Sequence, residues 1–193
     1  KAVVRREVVR VITAGTLTED PMLSSKNSNY LGAISLFEGK LSIAWVEITT
    51  GEFAFTTTSA ASLSTELSRL QLSEIIIPEK LMQDTDLSSL LKEYRSRIVL
   101  RADSLFSPVR AETITCEFYN LKSLDGISAI QRHEISAIGA LIDYLKHTHK
   151  NNLPRLSIPK SVSSSNFMVI DSATRKNLEI DSDQHGNKKF SLR

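Results

Sequence analysis

Residues 29–57, NYLGAISLFEGKLSIAWVEITTGEFAFTT, decide the fold. The stretch reads as three antiparallel strands joined by two tight turns. The first run, Tyr30 to Phe37, is apolar and ends at Glu38-Gly39-Lys40. The second, Leu41 to Thr49, sets Leu41, Ile43 and Trp45 against Ala44, Val46 and Ile48, so both of its faces are apolar. That pattern suits a central strand covered on both sides. Thr50-Gly51 supplies the second turn, with glycine free to take positive φ. The third run, Glu52 to Thr57, alternates Phe53 and Phe55 with Glu52, Ala54 and Thr56 and reads as half-buried. Three strands with an apolar face can nucleate a sheet where a lone hairpin cannot.

Outward from this nucleus the pattern changes to alternating helix and strand. Leu63, Leu67 and Leu70 share one face of a helix over 59–71, with Ser59 as N-cap. Glu74 to Pro78 is a short strand built on Ile75-Ile-Ile77 and stopped by its proline. Asp84 or Asp86 caps a helix carrying Leu87, Leu90, Leu91 and Tyr94, and Arg97 to Arg101 gives another strand. Residues 103–133 show irregular apolar spacing and predict short helical pieces and ordered loop. Residues 134–149 predict the longest helix, striped by Ile135, Ile138, Leu141, Ile142 and Leu145, with Gly139 allowing close packing. The order is β-β-β-α-β-α-β followed by a long helix, an α/β domain with a mixed sheet.

Upstream, Glu7 to Thr13 is a short β-rich run broken by Ala14-Gly15. Downstream, Asn151 to Pro154 ends the long helix. A connector punctuated by Pro154, Pro159 and Ser161 to Ser165 then leads to a short strand, Phe167 to Ile170, and a helical start capped by Asp171. The chain begins at Lys1 and stops at Arg193 as a new apolar pattern opens, which reads as a fragment of a larger protein.

Composition narrows the function classes. The 193 residues carry 24 Lys+Arg against 22 Asp+Glu, a net of +2, too near neutral for a nucleic-acid coat or a membrane patch. The cluster Lys1, Arg5, Arg6, Arg10 is the one feature that suggests direct DNA binding. Cys116 is the only cysteine, which excludes an intramolecular disulfide and fits a cytoplasmic location; it reads as a small packed residue. No run approaches the about 18 apolar residues of a membrane span.

The order β-β-β-α-β-α-β with a long final helix resembles an RNase H-like three-layer domain, so a nuclease is the first enzyme hypothesis. Two-metal phosphodiester cleavage needs several carboxylates converging from strand ends to hold two cations about 4 Å apart. Glu47 is the only acid well inside the sheet strands, while Glu38 and Glu52 lie at turns, and one carboxylate cannot hold two metals. His147 and His149, two apart on a helix, point in different directions, and His133 and His185 are isolated, so the histidines read as solvated side chains. None of the seven glycines is followed by another five positions on, which removes a phosphate-cradling G-x-x-x-x-G-K-[ST] loop; no G-x-G-x-x-G and no G-x-S-x-G occur. The residues support a non-catalytic structural or interaction module with no metal or cofactor site.

Four segments in register carry a family resemblance: Val8-Val-Arg-Val-Ile-Thr-Ala-Gly-Thr16, Asn29-Tyr-Leu31, Ile48-Thr-Thr-Gly-Glu-Phe53 and Ile170-Asp-Ser-Ala-Thr-Arg-Lys-Asn-Leu-Glu179. Together they resemble the MutS family of bacterial DNA mismatch-repair proteins across roughly residues 5–180. Ala14 stands where the family usually has Pro in a TPGT turn, and Glu47 and Thr50 replace the more usual Asp and Ser before TGEF. The resemblance implies a division into 1–27, a link from the mismatch-binding domain; 28–150, an RNase H-like connector domain without the nuclease acids; and 151–193, a linker and the start of the core or lever domain. It implies a connector joining the mismatch-reading head to the lever and ATPase, with mismatched DNA bound by other domains. The Phe-x-Glu wedge that reads mismatches is expected in the preceding domain, since none occurs in this chain, and ATP and Mg²⁺ are expected only in the full-length protein, a homodimer, with the Walker motifs beyond Arg193. A MutL-like partner is expected to dock on the irregular region between the last strand and the last helix, with Arg110, Glu112 and Thr113 as contacts. A degenerate nuclease and a stand-alone DNA-binding module remain the alternatives.

Overall fold

A computed structural model of the chain describes residues 11–16, 29–124, 130–150, 153–163, 170 and 172–180. Strand β1 (Tyr30–Phe37) pairs antiparallel with β2 (Lys40–Glu47) from Tyr30 opposite Glu47 to Phe37 opposite Lys40. The turn between them places Glu38 at φ 50° and Gly39 at φ 74°, the two positive values that a two-residue hairpin matched to strand twist demands. Strand β3 (Glu52–Thr58) adds antiparallel to β2 from Leu41 opposite Thr58 to Glu47 opposite Glu52. Strand β4 (Glu74–Pro78) then joins the other side of β1 in parallel, and β5 (Ile98–Arg101) extends it in parallel. With β6 (Lys160–Ser161) on the far edge, the chain is mixed α/β with a six-stranded sheet in the order β5-β4-β1-β2-β3-β6.

Each face of the sheet has its own core. Ile34, Leu41, Ile43 and Trp45 lie in one with Leu63 and Leu67 of α1 (Ala60–Leu70) and Leu87 of α2 (Thr85–Leu90). Ala44, Val46, Phe53 and Phe55 lie in the other, with Ala111 of α3 (Pro108–Tyr119) and the apolar stripe of α4 (Arg132–His149). The two-faced pattern of β2 is thus realised as expected, with Leu41 through Val46 all buried. Ser59 caps α1 by accepting from the Ser62 amide, and Asp84, the first of the two candidates, caps α2 by accepting from the Asp86 and Leu87 amides.

Four expectations are corrected. Strand β3 is not half-buried: Ala54 and Thr56 are covered as well as Phe53 and Phe55, because residues this small sit beneath a helix as readily as beneath water. The α2 helix stops at Leu90, and Lys92–Arg97 forms a 3-10 turn before β5. The segment from 103 to 133 contains a regular helix of 12 residues, α3. Its packed face carries Ala111 and Thr115 with half-buried Ile114 and Phe118, too few large apolar residues to leave a clear period. A Cβ at Gly139 of α4 would lie 2.3 Å from Ala111 Cβ and 2.4 Å from its Cα, so α3 and α4 meet where Gly139 and Ala111 leave room. Finally, Val11–Thr13 joins no sheet strand; it leads into a 3-10 turn at Ala14–Thr16, and the Val11 amide donates to the Thr148 carbonyl of α4 at 2.9 Å.

Downstream, β6 (Lys160–Ser161) runs parallel to β3 with Lys160 opposite Ala54, and α5 (Ser172–Asn177) begins where a helical start was expected. The expected strand over 167–170 lies outside the described residues except for Ile170, which is in no strand.

Trp45 is 3% exposed. Trp45→Ala is expected to destabilise the chain by roughly 3–5 kcal/mol, read from equilibrium denaturant unfolding. Gly139→Ala is expected to lower stability despite a helix-propensity gain of about 1 kcal/mol, since overpacking costs about 1–3 kcal/mol. Thermal unfolding checks the sign; an unchanged or raised Tm would mean that α3 can move away without cost.

Candidate functional site

Polar side chains hold the chain where it enters and leaves the sheet. Glu74 opens β4 and is 3% exposed. Its Oε2 accepts from the Gly15 amide at 2.7 Å, and its Oε1 accepts from the Tyr144 hydroxyl at 2.5 Å. A buried carboxylate is tolerable only with such donors. Burial is the largest cause that pushes the Tyr144 phenol up to about 12, and its bond to Glu74 adds to it against the opposing effects of Thr13 and Arg101, so the hydroxyl keeps its proton and donates. The turn above them is closed by the Thr13 amide donating to Thr16 Oγ1 at 2.8 Å, and Asn29 Nδ2 donates to the Ala14 carbonyl at 3.0 Å. A Cβ at Gly15 would lie 2.8 Å from Leu31 Cδ1 and 2.9 Å from Glu74 Cβ, so Gly15 is needed for close approach.

The outgoing chain is held at the β2–β3 turn. Gly51, at φ +76°, offers its carbonyl to both the Ser157 amide (2.8 Å) and the Ser157 hydroxyl (3.0 Å). The Tyr119 hydroxyl at the end of α3 donates to the Ser157 carbonyl at 2.7 Å, and burial pushes that phenol well above its usual range. The Val162 amide donates to the Phe55 carbonyl beyond β6. A Cβ at Gly51 would meet the Arg155 carbonyl oxygen at 2.6 Å. The Thr-Gly-Glu-Phe turn is thus a physical anchor for 155–157.

The histidines correct the reading of solvated side chains. His147 is exposed, but His133 and His149 are buried, and His185 lies outside the described residues. His133 sits at the first turn of α4, where its carbonyl accepts from Ser35 (2.7 Å) and Ser42 (2.6 Å) hydroxyls. Its Nε2 lies 2.9 Å from Thr57 Oγ1, which donates to Glu134 Oε1 at 2.7 Å, so the ring nitrogen is the donor to Thr57. Burial, ahead of the opposing pull of Glu134, lowers the His133 pKa. Cys116 is half-buried, in keeping with its reading as a small packed residue.

The three partner-contact candidates all fall on α3. Arg110 Nη2 pairs with Asp143 Oδ1 of α4 at 2.7 Å while its side chain stays 52% exposed. Glu112 and Thr113 are exposed, and the Thr113 hydroxyl donates to the Val109 carbonyl at 3.1 Å. The structure therefore places the three as exposed residues of one helix rather than on an irregular loop, with Arg110 turned toward α4. Lys1, Arg5, Arg6 and Arg10 lie outside the described residues.

The acids do not converge. Glu47 accepts from the Thr50 hydroxyl at 2.8 Å, Glu52 accepts from the Tyr30 hydroxyl at 3.3 Å, and both Glu74 oxygens are occupied as above. Among the described residues no group of three or more His, Cys, Asp or Glu side chains is placed to hold a metal ion. No described helix is long and apolar enough to cross a membrane. Sequence reading missed Glu74, Tyr144, Tyr119 and Ser157. For Glu74 a signal existed: an acid opening a run of three isoleucines destined for burial.

These features define a mixed-sheet α/β domain that fastens the segments on both sides of it and carries an exposed, partly charged helix face. Residues 29–157 match the family described as MutS domain II, and the chain belongs to that family. It is 41% identical over 192 residues to the DNA mismatch repair protein MutS of Wolbachia pipientis wMel, covering 100% of this chain and 23% of that protein. It is 38% identical to the proteins of the same name from Anaplasma phagocytophilum (strain HZ) and Orientia tsutsugamushi (strain Ikeda), covering 23% and 22% of their lengths. The chain thus spans less than a quarter of the curated relatives it matches.

His133 makes the stability of the chain sensitive to acid. The unfolded chain takes up a proton near the ordinary value of 6.5, and the folded chain resists it, so folding stability is lost as pH falls below that value. The Tm is expected to drop on acidification from about pH 6.5 to about pH 5, with a shallower slope in His133→Gln; parallel slopes would exclude His133 as the source.

Proposed function

We propose that this chain is the non-catalytic connector region of a MutS-like mismatch-repair protein, with an RNase H-like core over residues 28–150. Residues 1–27 lead in from a mismatch-binding domain, and 151–193 lead out to the core or lever domain. The observation that carries this reading is the family match over 29–157, which spans β1 to β5 and α1 to α4. The sheet supports the fold assignment. Three consecutive antiparallel strands are followed by two that add in parallel beside β1, with helices on both faces. Such a platform, with Glu47, Glu52 and Glu74 engaged in hydrogen bonds, suits a mechanical role between a DNA-reading head and an ATPase. The nucleotide and Mg²⁺ are held elsewhere in a cytoplasmic, homodimeric whole protein.

On this reading the outer side of α3 receives a MutL-like partner. Arg110, Glu112 and Thr113 offer a cation, an anion and a hydroxyl within one turn, and the Arg110–Asp143 pair orients the cation without burying it. The charges set register and encounter rate more than affinity. Titration of the chain with a purified MutL-type protein at low salt is expected to saturate, and Glu112→Ala/Thr113→Ala is expected to weaken binding roughly tenfold. No binding by the unaltered chain would sink the docking role. The enzyme alternative is checked by incubating DNA with the chain and Mg²⁺ or Mn²⁺. No cleavage is expected, and turnover abolished by Glu47→Gln would replace the connector reading with a nuclease.

A further inference from the structure

We propose that Glu74 and Tyr144 form a buried clasp that fastens residues 11–16 to the body of the domain, making the incoming chain part of the rigid sheet rather than a flexible tether. The segment is not held by its own apolar side chains: Val11 and Ile12 remain 40% and 49% exposed. It is held by polar groups. The Gly15 amide donates to Glu74, the Val11 amide to Thr148, and Asn29 Nδ2 reaches the Ala14 carbonyl from the far side. The two oxygens of Glu74 divide the work. One takes the incoming backbone and the other takes α4 through Tyr144, so a single side chain joins segment, sheet and helix.

The clasp lies at the same end of the sheet as the outgoing anchor. Glu74 is opposite Leu31, the adjacent Tyr30 is opposite Glu47, and Glu47 is opposite Glu52, which follows Gly51. Incoming and outgoing chain are thereby fixed along one sheet end across β4, β1, β2 and β3. A rotation applied to the incoming segment is carried through paired strands to the turn that holds Ser157. Glu74 acts here as a positioning residue, and the proposal depends only on contacts within this chain, so it stands or falls separately from partner docking.

Amide hydrogen exchange on the full chain tests it, read at Val11, at Thr16 and at β1–β2 core amides, in the unaltered chain and in Glu74→Gln and Tyr144→Phe. The expected result is exchange roughly 10- to 100-fold faster at Val11 and Thr16, the factor for losing a hydrogen bond to a charged group, with β1–β2 unchanged. Unchanged protection of 11–16 overturns the clasp. Should either variant loosen the whole chain, Gly15→Ala decides, because its added Cβ crowds Leu31 and Glu74 Cβ from the segment's side without removing the carboxylate or the phenol. Local release at Val11 then upholds the proposal, whereas retained protection, or equal loosening of the core, refutes it.

Discussion

Helix α4 is tied to the sheet by hydrogen bonds at both ends, and the rest of the structure depends on that placement. At its first turn the Ser35 and Ser42 hydroxyls, themselves 2.8 Å apart, converge on the His133 carbonyl. Toward its last turn Tyr144 donates to Glu74. Between these ties the helix is buried almost all round, with the sheet on one side and α3 on the other. Apolar packing alone is non-directional and would let such a helix slide or rotate with little penalty. Buried hydrogen bonds do not, because misplacing the helix leaves desolvated polar groups unpaired.

Once α4 is placed, its neighbours follow. Gly139 sets how near α3 comes, and Arg110 with Asp143 and Glu117 with Lys146 lie along the seam between the two helices. That position of α3 carries Tyr119 to Ser157, so the outgoing chain is located by the same helix pair that locates Glu74 for the incoming one. Polar atoms therefore serve to specify geometry where chain enters and leaves the sheet.

Much of this was legible from the residues. Strands β1 and β2 and the strand built on Ile75–Ile77 follow from short apolar runs covered on both faces, and helices α1 and α4 from a period of 3.6 in large apolar side chains, which report burial directly. Four short segments in register pointed to the MutS family, to which the chain belongs. Helix α3 was not legible, because its packed face mixes Ala111 and Thr115 with only Ile114 and Phe118, a stripe too thin in large apolar residues to stand out. The buried faces of β3 were missed for the same reason at Ala54 and Thr56.

What the sequence determined by itself is therefore the set of elements rich in Leu, Ile, Val and Phe, their order, and the family. The tertiary structure alone decided how the polar residues are used. His133 and His149 are buried rather than solvated, Glu74 is a shared acceptor rather than a strand-end charge, and Gly51 with Gly15 marks where backbone must approach backbone or side chain. The physical reason is one of range. Hydrophobic burial follows local periodicity, whereas a hydrogen bond such as Tyr144 to Glu74 joins residues 70 apart in sequence and exists only once the fold has brought them together.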